Sequence, residues 1–211
     1  MNHWFTADLH LGHANIMKYC GRTIFMTAKD LAIYNKVVNL SREEQKKFIL
    51  SPESLHIMNM SIIRRWNERV KPEDIVYVIG DFCFKNSSGI RGEGIRMSAD
   101  EWEKKLNGKI IFIKGNHDKN NSTKTIIERF VIRYGGKRIN LVHNPDRADP
   151  NYQINFTGHI HKLWEIKRMR WDWRFVDCIN VGVDVWNYYP VTFNEIMSRY
   201  AQWKKTLEVK K

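Results

Sequence analysis

Four short apolar runs in this chain of 211 residues each stop at a cluster of Asp, Asn or His, and this pattern limits the fold more than any other feature. Residues 3 to 9 deliver Asp8 at their end, and "IVYVIG" at 75 to 80 is followed by Asp81. "KIIFIK" at 109 to 114 runs into "GNHD", and "YQINFTGH" ends on His159. Apolar runs of this length, bounded by turn formers, suit strands buried on both faces. Polar residues at the carboxyl ends of several strands are what a site on a sheet edge requires. "RFVIRY" and "KRINLVH", joined by Gly135-Gly136, predict a hairpin.

Helical signals fall between these strands. "SLHIMNMSIIRRWNERV" sets Leu55, Met58, Ile62, Ile63 and Trp66 on one face and is ended by Lys71-Pro72. Ser98 with Glu101 and Thr192 with Glu195 form capping boxes, the first helix stopping at Gly108. Residues 28–54 read as a polar helical insertion, 85–96 as a Gly-rich loop and 205–211 as a basic tail. The alternation predicts an α/β layered fold in a single domain, residues 1–211, a length that suits one core.

The longest apolar runs are far shorter than the roughly 20 residues a membrane helix needs. The start, "MNHWFTADLH", lacks a basic region followed by an apolar one. Cys20, Cys83 and Cys178 form no CxxC pair and fit a reducing compartment, with Cys83 reading as a buried, inert thiol. The expectation is a cytoplasmic protein with no membrane partner. Its net charge of +12 biases the surface toward polyanions without naming one.

The strand-end clusters supply Asp8, His10, Asp81, Asn116, His143, His159 and His161, all nitrogen or oxygen donors for divalent metals, with no thiolate among them. One such histidine alone would read as structural, but recurrence at five segments points to a shared site. In an extended segment, residues two apart point the same way, so Asp8 with His10 and His159 with His161 are expected to face one cavity. Leu9 and Ile160 would then turn into the core. Asn116 stays open between a ligand and a left-handed turn residue.

In order, "DLH" at 8–10, "GDFC" at 80–83, "GNHD" at 115–118, "VHNP" at 142–145 and "GHIH" at 158–161 resemble the signature of the calcineurin-like metallophosphoesterases. The resemblance spans residues 3 to about 185 and looks most like the small phage and bacterial branch. It implies two β-sheets sandwiched between helices. It also implies that Asp8, His10 and His161 hold a first ion, that Asp81 bridges, and that Asn116, His143 and His159 complete the shell of a second. A hydroxide held between two such cations attacks phosphorus in line. His117 would protonate the leaving alkoxide, and Asp118 would orient it by accepting from its other ring nitrogen. Mn²⁺ is the expected metal, with Fe²⁺, Ni²⁺ and Zn²⁺ as alternatives.

His13 is open between a phosphate contact and packing. Arg91 and Arg96 are candidates for closing over a phosphate. Asp184 and Asn180 stand open between supporting the ligands and capping a strand end. Residues 162–174 interleave five basic residues with Trp164, Trp171 and Trp173, a composition that suits either nucleic-acid stacking or a hairpin with its tryptophans in the core. The expected function is hydrolysis of a phosphate ester, foremost a phosphodiester or nucleotide-like one. The alternatives are a nucleic-acid- or partner-binding module with a structural metal, and a phosphomonoesterase or protein phosphatase. Oligomeric state has no signal in the sequence.

Overall fold

The computed structural model describes residues 1–84, 97–118 and 127–208. Two mixed sheets form its centre. In the first, β1 (His3–Thr6), β2 (Ile75–Ile79) and β3 (Lys109–Ile113) run parallel, and a short β9 (Val191–Thr192) lies antiparallel on β1, in the order β3-β2-β1-β9. The second has the order β4-β5-β6-β8-β7, from β4 (Phe130–Tyr134), β5 (Lys137–Leu141), β6 (Ile154–Thr157), β7 (Ile166–Trp171) and β8 (Arg174–Asn180). Within it β5, β6 and β8 are parallel, while β4 and β7 are antiparallel edges.

Strand β2 shows why the layers form. Val76 and Val78 point into a core shared with Met58, Ile62 and Trp66 of the helix α4 (Pro52–Arg69). Tyr77 and Ile79 point the other way, into a core shared with Ile139, Leu141 and Phe156 of the second sheet. A strand buried on both faces therefore joins a helical layer to a sheet layer, giving the expected two-sheet sandwich flanked by helices. The apolar face read for α4 is buried throughout, and truncating Trp66 to alanine would cost about 3–5 kcal/mol.

Other elements follow their local chemistry. Gly135 and Gly136, both left-handed, form the two-residue turn between β4 and β5 that matches strand twist. Residues 28–54 supply α2 (Ala28–Val37), α3 (Arg42–Lys47) and the start of α4. They are less of an appendage than expected, because Leu31, Ile33 and Tyr34 of α2 pack on the helical-side core and the buried Asp30 accepts from Ser51 and Ser54. The capping box at Ser98 starts a helix, α5 (Ala99–Glu103), that ends before Gly108. Helix α6 (Phe193–Glu208) continues into the stretch expected as a tail. The loop 85–96, with Arg91 and Arg96, and residues 209–211 lie outside the described residues. Among the described residues no helix is long and apolar enough to cross a membrane.

The tryptophan-rich segment forms the β7–β8 hairpin, and its tryptophans divide. Trp164 and Trp171 are half-buried with Met169, Val176 and Cys178, whereas Trp173 at the turn is 75% exposed. Cys83 and Cys178 are buried, and burial pushes both thiols up to about 12, as an inert role requires.

Candidate metal centre

Strand β1 ends at Thr6, short of the expected extended run, because Asp8 and His10 both have positive φ, 57° and 51°. Asp81, His159 and His161 share that left-handed conformation. The alternation argument for the paired histidines is thereby corrected: these segments are not extended, and each donor is turned by its own backbone. Left-handed backbone at non-glycine residues is uncommon, and clusters of it mark functional sites. Leu9 is buried in the helical-side core as expected, but Ile160 is only half-buried and lines a surface cleft.

Five strand ends bring the donors together. The Asp81 carboxylate lies at the centre, with Oδ2 3.4 Å from His10 Nε2 and 3.4 Å from His143 Nε2, while Oδ1 accepts from the His117 amide at 2.9 Å. Asp8, fully buried, accepts from the His159 amide through both oxygens. Ligand atoms of Asp8, His10 and His161 lie within 4.8 Å of one another, as do those of Asp8, Asp81 and His143. On the other flank, Asn116 Oδ1 is 2.9 Å from His143 Nε2 and 2.8 Å from His159 Nδ1. Asn116 is not left-handed, so its oxygen rather than a turn conformation accounts for its position.

The ring nitrogens are oriented for this convergence. His143 Nδ1 donates to the Ile79 carbonyl at 2.9 Å, which directs Nε2 at the Asn116 and Asp81 oxygens, toward which it donates when the ring is protonated. His161 Nδ1 donates to Asp184 at 2.8 Å, and ligand atoms of Cys20, His161 and Asp184 also lie within 4.8 Å of one another. Asp184 is gripped by Arg22, whose remaining N–H groups reach the Leu9 and Asp8 carbonyls. Asn180 donates to the His161 and Trp164 carbonyls, fixing the loop that carries His161.

The donor set fits a pair of divalent cations. His10 Nε2 is buried with no hydrogen-bond partner, although a carboxylate oxygen stands 3.4 Å away. A buried unsatisfied polar atom is costly, and a cation between the two would satisfy both. Neutral imidazole is the ligating form, and burial, followed by the neighbouring His13 and Arg22, holds the His10 ring well below 6.5. Burial raises Asp8 to about 6 against the pull of His143 and His161. Burial opposes protonation of His143, yet its bond to Asp81 and the charge of Asp8 carry it up to about 9. Positive charge is thus favoured at His143, beside the Asp8 and Asp81 carboxylates, and disfavoured at the buried His10.

Asp118 and His13 have partners of their own. Asp118 accepts from the amides of Asp81 (2.9 Å), Phe82 (3.1 Å) and Gly115 (2.7 Å). Its carboxylate ties the loop that carries Asp81 to the loop that carries His117. His13 is buried, stacks on Phe84 at 4.3 Å and has Nδ1 3.3 Å from His10 Nδ1. It therefore packs behind His10 and against Phe84. His117 is half-buried with its ring centroid 5.3 Å from that of His10.

Two clefts open at the centre. One, of about 400 Å³, includes Tyr19, Ile160, Leu163 and the candidate donors His159 and His161. The other, of about 260 Å³, includes Lys114, Arg147 and the candidate donors Asn116 and His143. A third, of about 500 Å³ around Arg69 and Trp186, shares none of these donors.

No family model matches the chain. The uncharacterized protein MJ1445 of Methanocaldococcus jannaschii is 31% identical over 206 residues, covering 95% of this chain and 92% of that protein. This chain belongs to the MJ1445 family. The gene 66 protein of Mycobacterium phage D29 is also similar, at 27% identity over 118 residues, 56% of this chain and 41% of that protein. The solved structure of AQ665, a protein of unknown function from Aquifex aeolicus, matches with a TM-score of 0.54 at 23% identity, over 93% of this chain and 97% of that one. The MJ1445-family chain thus shares its fold with AQ665.

Sequence reasoning missed Arg22, the most deeply engaged cation of this MJ1445-family site. A single arginine in "CGRTIF" carries no periodic or motif signal, and only its complete burial reveals it.

Proposed function

We propose that this MJ1445-family protein is a metal-dependent phosphoesterase of the calcineurin-like metallophosphoesterase superfamily, hydrolysing a phosphodiester or nucleotide-like ester. The supporting observation is Asp81 Oδ2, poised 3.4 Å from ring nitrogens of both His10 and His143. In this reading Asp8, His10, Asp81 and His161 hold one ion, and Asp81, Asn116, His143 and His159 hold the other. Mn²⁺ is the first choice, and Fe²⁺, Ni²⁺ and Zn²⁺ suit the same donors. Such a pair, when bound, supplies Lewis-acid charge to phosphoryl oxygens and makes water nucleophilic at neutral pH.

The chain's own groups do the rest. Asp81 holds the His117 amide at 2.9 Å, so the residue that sets the centre also positions the proton donor. His117, half-buried beside His10, gives its ring proton to the leaving oxygen. Asp118 keeps Asp81 in place through three amides, and Arg22 with Asp184 keeps the His161 ring turned inward. We read the whole chain as one cytoplasmic domain.

Metal-stripped protein given Mn²⁺ should hydrolyse bis(p-nitrophenyl) phosphate. His117→Asn should lower that rate about 10²–10⁴-fold while bound metal stays unchanged. No turnover of this diester or of p-nitrophenyl phosphate with any of the four metals would contradict the reading.

A further inference from the structure

The two clefts at the centre differ in chemistry, and a phosphodiester has two arms. The first meets the ligands at His159 and His161 and is walled by Tyr19, Ile160 and Leu163. Tyr19 is 49% exposed and Leu163 80%, so two large side chains that packing leaves in water border one hollow. Lys162 donates from Nζ to the Gly21 carbonyl at 3.0 Å, tying the loop after His161 to the end of α1 (Asn15–Tyr19) and fixing that rim. The second cleft meets the ligands at Asn116 and His143 and carries Lys114 and the exposed Arg147, with Glu128 taking part of the Lys114 charge at 3.4 Å.

We propose that these clefts are the subsites for the two arms of a nucleotide diester, a base against Tyr19 and Leu163 and a neighbouring phosphate against Arg147 and Lys114. The inference rests on the phosphoesterase reading and narrows its substrate class to short oligonucleotides. A diester has two ester oxygens, one for each cleft, and a monoester would leave one cleft unused. A flat aromatic wall beside an exposed leucine suits a base, since stacking on an aromatic side chain is sequence-tolerant. A guanidinium matches the paired oxygens of a phosphate. Because the two walls differ, the substrate must enter in one polarity.

The test uses the full chain carrying His117→Asn, with and without Mn²⁺, and calorimetric titration with three dithymidylates: TpT, pTpT and TpTp. One of the two terminally phosphorylated forms should bind about tenfold or more tighter than TpT, and the other should not. Adding Arg147→Ala should erase that gain, and adding Tyr19→Ala should weaken all three by roughly 5-fold or more. Far-ultraviolet circular dichroism of each variant separates lost binding from lost folding. Equal gains for pTpT and TpTp, or folded variants that bind as the parent does, would overturn the subsites. Wild-type turnover of bis(p-nitrophenyl) phosphate, measured alongside, isolates the parent reading. If it is absent while the dithymidylates still bind with polarity, hydrolysis falls and the subsites stand. If it is present without dithymidylate binding, the subsites fall and hydrolysis stands.

Discussion

The Arg22 guanidinium grips the Asp184 carboxylate through two parallel bonds of 2.9 Å, with both side chains fully buried. Burial alone would raise the Asp184 carboxyl, but Arg22 and the His161 ring hold it down at about 2. Arg22→Met removes the guanidinium from that buried carboxylate, leaving it the His161 ring alone, and should destabilise the metal-free protein by about 3–5 kcal/mol in urea unfolding. A loss below about 1 kcal/mol would show that the pair is not needed for folding.

Asp184 also accepts from His161 Nδ1, so its effect reaches the centre. Asp184→Asn should weaken the tighter metal-binding step by about 10–100-fold in a calorimetric Mn²⁺ titration. Unchanged affinity would mean that the His161 ring holds its orientation without this carboxylate.

His13 offers a second lever on the same ion. Its Nδ1 lies 3.3 Å from His10 Nδ1, and if that contact is His10 N–H donating, the His10 Nε2 lone pair is presented to the centre. His13→Leu removes the acceptor and should lower Mn²⁺ affinity about 10–100-fold, with His13→Gln recovering part of it through its carbonyl. Equal affinities for both variants would leave His13 as packing against Phe84.

Gly115 is fixed by space. A Cβ there would stand 2.2 Å from Asp81 Oδ1 and 2.4 Å from Asp81 N. Gly115→Ala must push aside the carboxylate proposed to bridge the two ions, so Mn²⁺ stoichiometry measured by elemental analysis after dialysis should drop from the proposed two per chain. Retention of both ions would show that the Asp81 loop moves without losing its ligand geometry.

Away from the centre, Asp74 ties the start of β1 to the turn after α4 by accepting from Asn2 N, Trp4 Nε1 and Lys71 N. Burial would raise its carboxyl, but these bonds outweigh that and lower it from 3.8 to about 2. A group depressed in the folded state stabilises fully above its unfolded value and loses that contribution as pH falls from about 4 to 2. Asp74→Asn should therefore be less stable than wild type at pH 7, and the gap should shrink across that window in urea midpoints taken at each pH. A gap independent of pH would contradict the assignment.

The fold was legible where periodicity was strong. The β2 run and the Leu55–Trp66 face each name their buried neighbours, and Gly135-Gly136 names its turn. The convergence of the candidate donors was legible for a different reason, since few residue types suit a cation and they recur at strand ends. The backbone that aims them was not: alternation suggested extended segments, whereas five donors adopt left-handed φ that no propensity assigns to Asp or His in advance. The three amides that Asp118 accepts and the contacts of His13 with His10 and Phe84 have no trace in the sequence, where His13 stood open between a phosphate contact and packing. Arg22 depends on Asp184, 162 residues away, and pairings of that range have no local trace.

Crystals soaked in Mn²⁺ and measured for anomalous scattering test the central claim most directly. Two peaks about 3.5–4 Å apart, with Asp81 Oδ2 between them, Asp8, His10 and His161 around one and Asn116, His143 and His159 around the other, are the predicted result. No peak at the strand ends, or one ion that leaves Asn116 and His159 unligated, would contradict a paired-cation centre.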